Sequence, residues 1–517
     1  FVRAYFYWIL LRKYGPIPLV PENGFNYNDS YDDVATPRSS YDVCANYIAS
    51  EMVIAAKDLP LTREQLSINR PTRGAALATR ALALLYAASP LTNGNNDEYD
   101  ESKWAKAAAA CKDVMELNVY KLYTTGINTV NTGAFPATIA PPHHDVYSNE
   151  DFPNGWANID PYESYRALFN GTVSSVDNPE LIFTRGQNIG GERIKDMVIH
   201  QLPSVAKGWN THGMTQKQVD AYYMNTGDDC PGMNSQYAGY QAYKDRVDNR
   251  PRPVGYTSNA QDYKPLSANV SLQYANREPR FYASVAFNGA RWYLGNESQQ
   301  ANQNKQVFYY RGGGNGYSNN MFWLRTGIGV MKYVNPSDTY ENSDGAKIID
   351  KDEPAIRYAD ILLMYAEALN ELTTSYEVSS WDGIKAYTIN RDPEEMRKGI
   401  KPVRMRAGVP DYDTPIYDNP AKFRIKLKRE RQIELFAEGK RYYDLRRWKD
   451  AELEESVPVY GCYTFMTESQ KDLFHTPVPI YNLSATFSSK MYFWPIKHDE
   501  LKRNKRLTQN PGWTYND

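Results

Sequence analysis

Two stretches rich in alanine and leucine constrain the fold of this chain more than any other feature. The first, TRGAALATRALALLYAASP at 72–90, consists of strong helix formers and ends at Pro90. The second, SKWAKAAAACKDVMEL at 102–117, begins at Ser102 and is joined to the first by the polar loop 91–101. Small residues let two helices cross closely. The two stretches therefore predict a packed helix pair.

A related pattern returns far downstream. RYADILLMYAEALNEL, at 357–372, places its apolar residues on one helical face, and its LMYAE matches LLYAA of the first stretch. Trp104 and Trp381 follow the shared tyrosine by 18 and 16 residues, so SSWDGIKA at 379–386 is predicted to open the second helix of this pair. Weak repeats of paired helices indicate a tetratricopeptide-like array. The predicted fold class is thus mainly α.

Two further pairs complete the predicted array. Residues 1–14 end at Gly15-Pro16 and pair with a helix at 40–57 that starts at Ser40. The fourth pair uses residues 420–450. Four helix pairs packed side by side are therefore expected.

The region between the second and third pairs has a different composition. Gly, Asn, Pro and Tyr dominate, with short β-prone runs such as FYASVAF, and residues 205–330 alone hold 20 aromatic side chains. A structureless loop of that length is implausible in a compact domain, so we predict a large irregular, partly β insertion. The predicted organisation has four parts: N-terminal helix pairs at 1–120, a ligand-binding insertion at 121–350, C-terminal helix pairs at 351–450, and a segment at 451–517 that packs back on the array.

The segment RQIELFAEGKRYYDLRRW, 431–448, mixes acidic and basic residues. Glu434 and Glu438, four positions apart on a helix, match the carboxyl spacing of a retaining glycosidase. Their basic neighbours lower carboxyl pKa values, however, which is the wrong direction for a general acid. Acidic neighbours and a net charge of −2 also argue against nucleic-acid binding at Arg446 and Arg447. Structural ion pairs that hold the last helix pair are the favoured interpretation.

Other candidate chemistry is sparse. The adjacent His143 and His144 lack metal-ligand spacing, as do the other histidines, and the four cysteines are widely spaced. RGGGNGY, at 311–317, lacks the Lys-Ser/Thr of a phosphate loop and is interpreted as a flexible surface turn. The acidic loop NGNNDEYDES, at 93–102, offers oxygen ligands that suit a structural calcium ion, as an alternative to an ordinary polar loop. No other cofactor is expected. No run of apolar residues reaches the 18 that a membrane-spanning helix needs.

Several segments resemble blocks of the SusD/RagB family, the outer-membrane nutrient-binding lipoproteins of Bacteroidetes. The resemblance covers nearly the whole chain, and the blocks occur in the family's order. It implies a SusD-like fold, an array of four helix pairs with an irregular insertion. The segments are MTQKQVDAYYMNTG, YANREPRFYASVAFNGARWY, TGIGVMKYV, RYADILLMYAEALNE, IKPVRMRAGV, IKLKRERQIELFAEGKRYYDLRRW and FWPIKHDELKRNKRLTQNPGW.

The resemblance also implies a function. Family members capture nutrients at the cell surface without catalysis and deliver them to a SusC-like TonB-dependent transporter, so a glycan, as oligosaccharide or polysaccharide, is the expected ligand. Peptide cargo, as in the RagB branch, is the alternative, and a glycosidase using acids of the insertion is a third hypothesis. Family chains carry a lipoprotein signal and an acylated cysteine ahead of RAYFYWILLRKYG, and neither is in this sequence. We expect attachment to the outer membrane through such a lipid anchor.

Aromatic residues of the insertion are the candidate ligand-binding residues. Trp292, in FNGARWYLGN, and Trp323, in NNMFWLR, lie among Gly and Asn, where the backbone can bend and amides can meet hydroxyls. Trp209, Tyr309 and Tyr310 are the next candidates. A pyranose ring packs its C–H face on an aromatic face while its hydroxyls bond to polar side chains at the rim. Each tryptophan can instead belong to the core of the insertion, and no catalytic residue is assigned.

Overall fold

The structure is a computed structural model that describes residues 1–26, 28–94, 99–127, 139–185, 194–231, 252–258, 265–318, 322–340, 348–484 and 486–514. The described residues form seventeen α-helices and ten β-strands. The helices are α1 (Val2–Tyr14), α2 (Tyr31–Val34), α3 (Tyr41–Asp58), α4 (Arg73–Ala88), α5 (Ser102–Met115), α6 (Pro161–Arg166), α7 (Ile194–Gln201), α8 (Gln216–Ala221), α9 (Pro279–Ser284), α10 (Tyr358–Asn370), α11 (Pro393–Arg406), α12 (Thr414–Tyr417), α13 (Pro420–Glu434), α14 (Arg441–Arg447), α15 (Ala451–Glu454), α16 (Lys471–Phe474) and α17 (His498–Arg503). The strands are β1 (Leu181–Arg185), β2 (Val285–Ala286), β3 (Ala290–Tyr293), β4 (Asn304–Val307), β5 (Gly329–Val330), β6 (Glu353–Arg357), β7 (Tyr376–Ser379), β8 (Ala386–Ile389), β9 (Pro458–Gly461) and β10 (Val478–Ser484).

The long helices pack side by side. Helix α1 lies against α3, α3 against α4, α4 against α5, α5 against α10, and α10 against both α11 and α13. Nearly every residue of α4 is buried, because its many alanines let neighbouring helices approach closely. Gly399 of α11 likewise lets α11 approach α10 closely, because a Cβ there would collide with the carbonyl oxygen of Leu362 in α10. The arrangement confirms the predicted mainly α, tetratricopeptide-like array.

The helix starts follow local sequence signals. The side chains of Ser40 and Thr72 accept hydrogen bonds from the backbone N–H groups of Val43 and Ala75. Each bond satisfies a donor that has no partner within its helix. The fourth predicted pair, 420–450, corresponds to α13 and α14. Helices form within two residues of the predicted bounds at 1–14, 40–57, 72–90, 102–117 and 357–372.

The second helix of the third pair was predicted wrongly. Residues 379–386 do not open a helix at Trp381; they connect β7 and β8, which pair as an antiparallel hairpin. Gly383, with φ at 73°, adopts the left-handed conformation in the connecting turn. The helix that packs on α10 is α11, whose start carries Asp392 as a side-chain cap followed directly by proline. The match between the two tryptophans was therefore coincidental.

The region between α5 and α10 packs around a second hydrophobic core. The first core lies among the array helices, whereas the second gathers apolar residues from the short elements α6 to β5. The described residues contain five antiparallel two-stranded sheets, β1–β6, β2–β5, β3–β4, β7–β8 and β9–β10. These short elements agree with the predicted irregular, partly β insertion. The division of the chain at 120, 350 and 450 stays a prediction.

The residues after the array divide between the two cores. The backbone N–H of Trp494 donates to the carbonyl oxygen of Lys13 at 2.9 Å, so this part returns to α1. Residues 458–474 lie against the insertion instead, because Cys462 and Phe474 are buried in its core. Within the described ranges, no helix is both long and apolar enough to cross a bilayer.

An ion-pair junction, formed by Glu434 with Arg280, Arg357 and Arg406, joins the array to the insertion. Glu434 of α13 lies 2.9 Å from the guanidinium of Arg280 and 2.7 Å from that of Arg357, and it also pairs with Arg406. Burial alone would raise the pKa of Glu434, but the three arginines outweigh burial and lower the pKa to about 2. Glu438 pairs with Arg357 at 2.7 Å. The interpretation of Glu434 and Glu438 as structural ion-pair residues is confirmed, although their partner residues lie in the insertion as well as in the array.

Candidate functional site

The stacked rings of Trp209 and Phe322 form an exposed aromatic surface, called the Trp209 platform here. Their centroids are 5.6 Å apart and their planes differ by 24°. Trp209 is 37% exposed and Phe322 is 46% exposed. Burial of exposed aromatic surface lowers the free energy. A ligand that covers the platform would therefore bind favourably.

The loop after α7 determines the position of Trp209. Lys207 and Asn210 both adopt positive φ angles, 57° and 49°, which reverse the chain sharply. The backbone N–H of Trp209 then donates to the carbonyl oxygen of Ile199 at 2.8 Å. The loop is thus held against α7 while the indole remains partly in solvent.

Two histidines lie beneath the platform. The ring of His200 meets Trp209 edge-on with 4.6 Å between centroids, and His212 stacks on His200 at 5.1 Å. Burial lowers the pKa of His200, and burial together with His200 lowers the pKa of His212. Both rings are therefore neutral at pH 7 and support Trp209 as uncharged aromatic groups.

A cleft of about 820 Å³, called the amide cleft here, lies beside the platform. Asn210, next to Trp209, donates from its side-chain amide to the carbonyl oxygen of Asn315 at 2.7 Å, and Asn315 lines the cleft. Carboxamides both donate and accept hydrogen bonds, which matches the hydroxyl groups of a sugar. The cleft is lined by Ser204, Val205, Gln299, Asn302, Lys305, Gln306, Phe308, Tyr310, Arg311, Gly312, Gly313, Gly314, Asn315, Thr467, Glu468 and Ser469.

The glycine-rich segment 311–317 forms one wall of the amide cleft. It lies on the surface as consecutive turns, closed by a hydrogen bond of 3.0 Å from the backbone N–H of Gly312 to the carbonyl oxygen of Tyr317. Gly316 cannot carry a side chain, because its Cβ would collide with the carbonyl oxygen of Tyr310. The surface-turn interpretation is confirmed.

A second cleft, of about 660 Å³, is called the aromatic cleft here. Trp323, Tyr463 and Phe465 line it, and Tyr317 contacts the rings of both Trp323 and Phe465 edge-on at 4.9 and 5.0 Å. The guanidinium of Arg325 lies 4.5 Å from the centroid of Trp323. Residues 463–469 contribute to both clefts, so the platform and the two clefts form one neighbourhood.

The structure places the five predicted site residues in different environments. Trp292, 2% exposed, and Tyr309, 2% exposed, lie in the second hydrophobic core, which favours the core interpretation for both. Tyr310 and Trp323 are also largely buried, but each lines one of the clefts. Trp209 is open to solvent. A ligand-binding role stays a prediction for all five, and the geometry favours it for Trp209.

Five aromatic residues of this neighbourhood were not predicted: Phe308, Tyr317, Phe322, Tyr463 and Phe465. Phe322 was overlooked beside Trp323, although its NNMFWLR context is identical. Tyr463 and Phe465 belong to a segment expected to contact the array, and only the burial of neighbouring Cys462 in the insertion core brings them here. The GCYTF motif at 461–465 is the only local signal that they carry.

Metal binding receives no support from the described part of the chain. Its residues contain no group of three or more His, Cys, Asp or Glu side chains arranged to hold an ion. The predicted calcium loop, 93–102, lies partly outside the described residues, which omit 95–98.

Family models identify the chain from its sequence. Residues 179–513 match the model described as "SusD family", which is more than half of the chain. The chain belongs to the SusD family. Residues 1–85 match a second model of this kind, described as "Starch-binding associating with outer membrane". The match at 179–513 contains every residue that lines the platform and the two clefts.

Solved structures show the same fold. A SusD-like protein from Bacteroides fragilis is 22% identical with a TM-score of 0.66, over 99% of this chain and 78% of that one. A SusD-like carbohydrate binding protein from the same organism is 20% identical with a TM-score of 0.61, over 98% and 78% of the two chains. A SusD superfamily protein from Bacteroides vulgatus is 19% identical with a TM-score of 0.52, over 99% and 76%. A search of curated proteins returned no match.

Proposed function

We propose that this SusD-family protein is a non-catalytic glycan-binding protein of the bacterial cell surface. It captures an oligosaccharide or polysaccharide on the Trp209 platform and in the two adjoining clefts. The observation that carries this proposal is the stacked, exposed pair of Trp209 and Phe322 beside a cleft lined by carboxamides.

The chemistry of this surface suits a sugar chain. One pyranose face stacks on the flat apolar platform, while its hydroxyls exchange hydrogen bonds with Gln299, Asn302 and Gln306 in the amide cleft. The aromatic cleft provides a second stacking ring at Phe465, which is 41% exposed, so more than one sugar unit can be held. A chain-like ligand gains affinity from such neighbouring subsites.

Binding without hydrolysis is favoured over a glycosidase. Most glycosidases use two carboxyl groups that flank the bond to be cleaved. Among the described residues that line the two clefts, Glu468 is the sole carboxylate. Glu434 and Glu438, which have the required spacing in sequence, are buried and paired with basic residues.

Delivery to a SusC-like TonB-dependent transporter is the second part of the proposal. Helix α1 exposes Val2, Phe6 and Leu10 at four-residue intervals on one face, with Phe6 at 61% exposure. An exposed apolar row of this kind on a helical array suits a protein partner. We propose that this side of the array meets the transporter, while a lipid anchor holds the protein at the outer membrane.

Peptide cargo is the competing hypothesis, and one observation favours it. Strand β10 pairs only with β9 among the described residues, which leaves its other edge open to an added strand. Val478, Pro479 and Ile480 of β10 line the aromatic cleft, so side chains of an extended peptide would find apolar partners there.

A glycan array with a matched peptide library tests the ligand class. The proposal expects saturable binding to a glycan and none to the peptides; binding to peptides alone would replace it with the competing hypothesis. Incubation with a positive glycan should produce no new reducing ends. Their release at a rate proportional to protein concentration would instead establish a glycosidase.

Purification from native membranes in mild detergent tests the partner. We expect a large β-barrel protein to copurify, and the double substitution Phe6→Asp and Leu10→Asp to release it without loss of glycan binding. Leu66→Asp is the matched control, since Leu66 is fully exposed and lies outside helix α1. Free monomer under conditions that preserve other transporter complexes would contradict this part of the proposal.

A further inference from the structure

The charges that line the two clefts differ in sign from the chain as a whole. The chain carries a net charge of −2. The clefts present Lys305, Arg311 and Arg325 against one carboxylate, Glu468. The candidate site is therefore a positive region on a slightly negative protein, and this contrast points to a negatively charged ligand.

We infer that the captured glycan is anionic and carries carboxylate or sulfate groups. This inference rests on the proposed glycan-binding function and specifies the substrate class of the same site. Its central residues are Arg325 in the aromatic cleft and Arg311 in the amide cleft, and aromatic side chains line both clefts.

Arg325 is positioned as an anion-binding group. Its guanidinium lies over Trp323, whose ring fixes the orientation of the side chain by a cation–π contact. No carboxylate oxygen of the described residues lies within 4.0 Å of its nitrogen atoms. In contrast, Arg280, Arg357 and Arg406 in the same protein are all paired with glutamates. The free planar guanidinium can bind a carboxylate or sulfate through two parallel hydrogen bonds.

Arg311 and Lys305 provide the second part of the positive region. The backbone N–H of Arg311 donates to the carbonyl oxygen of Met466 at 2.9 Å, which fixes the backbone while the side chain remains exposed. Lys305 donates to the side-chain oxygen of Asn302 at 3.1 Å, and it also lacks a carboxylate within 4.0 Å among the described residues. A neutral sugar offers such groups only hydroxyl oxygens, whereas hydrogen bonds to an ionised acceptor are about twice as strong.

The number and spacing of the charges favour a repeating anion. Arg311 and Arg325 line different clefts, and residues 463–469 contribute to both. A glycan with one acidic group on several of its units can contact both at once, and simultaneous contacts multiply affinity. Each contact is screened by salt, so binding should weaken as ionic strength rises.

Two matched pairs of probes test the inference by isothermal titration calorimetry. An oligogalacturonate is compared with its methyl ester, and a sulfated galactan oligosaccharide with its desulfated form. We expect the anionic member of at least one pair to bind at least tenfold more tightly. That pair also distinguishes carboxylate from sulfate as the recognised group.

Variants assign the effect to residues. Arg325→Gln and Arg311→Gln should each weaken binding of the anionic probe about tenfold and change binding of its neutral partner less than twofold. Arg506→Gln, an exposed arginine that lines neither cleft, is the control and should leave both affinities unchanged. The melting temperature of each variant should match that of the wild type, because neither side chain has an ion-pair partner to lose among the described residues.

The outcomes separate this inference from the proposed function. Equal affinity for the anionic and neutral members of both pairs would overturn the inference and leave glycan binding intact. Equal losses in the Arg325→Gln variant for both members of a pair would also overturn it. A protein that binds no glycan on an array that includes both pairs would overturn the proposed function itself.

Discussion

The ion-pair junction and the Trp209 platform both lie in the part of the chain that matches the SusD family. The junction buries charged groups and pairs them, whereas the platform leaves apolar groups exposed to water. At the junction, Glu434 is fully buried and pairs with three arginines. At the platform, Trp209 and Phe322 keep apolar rings in water. The junction thus holds the insertion on the array, whereas the platform leaves its interaction energy for a ligand. Substitutions should accordingly affect stability at one place and binding at the other.

Tryptophan residues show the same contrast between buried and exposed positions. Trp292 is on β3, whose pairing with β4 directs its ring into the second hydrophobic core. Trp292→Ala should therefore lower the free energy of unfolding by about 4 kcal/mol, because it removes a large buried side chain and leaves a cavity. Chemical denaturation measures this loss. Trp494→Ala, at an exposed tryptophan, is the control, and equal effects of the two substitutions would contradict the contrast.

Removal of one charge from the junction should have the next largest effect. Glu434→Gln keeps the shape of the side chain but leaves three buried guanidinium groups short of a negative charge. We expect it to lower the free energy of unfolding by about 3 kcal/mol. Glu452→Gln, at an exposed residue of helix α15, should change stability by less than about 0.5 kcal/mol. A stable Glu434→Gln protein would show that the junction contributes little.

Acid should weaken the junction in a defined pH range. The pKa of Glu434 is about 2 in the folded protein and 4.5 in the unfolded chain, so the unfolded chain takes up the proton first. Its stabilising contribution is complete above pH 4.5 and is lost as pH falls toward 2. Between pH 6 and pH 3 this loss amounts to about 2 kcal/mol. Wild type should therefore lose that much more stability than Glu434→Gln over this range, and parallel losses would contradict the assignment.

The helices were predictable because their signals are local. Alanine-rich stretches, Ser40 and Thr72 as caps, and Gly15 as a terminator specify α1, α3 and α4 within the segments themselves. The β7–β8 hairpin was missed because an apparent repeat at Trp381 was given more weight than the turn residue Gly383. The Asp392-Pro sequence that starts α11 was a clearer signal.

The candidate site was only partly predictable because it depends on contacts between distant segments. Sequence composition directed attention to tryptophans of the insertion, but the strand register that buries Trp292 is not visible in composition. Tyr463 and Phe465 reach the aromatic cleft from a segment more than a hundred residues away from Trp323. Exposure, rather than residue type, distinguishes the platform from the core.

Glycan affinity of Trp209→Ala tests the central claim most directly. Measured by isothermal titration calorimetry with a glycan positive on the array, the variant should bind at least tenfold more weakly, a loss of about 1.4 kcal/mol, because the stacking surface is gone. Its melting temperature should stay within about 2 °C of wild type, since the ring is partly exposed. Trp494→Ala should bind as wild type does. Unchanged affinity in Trp209→Ala would contradict the assignment of the ligand site to the Trp209 platform.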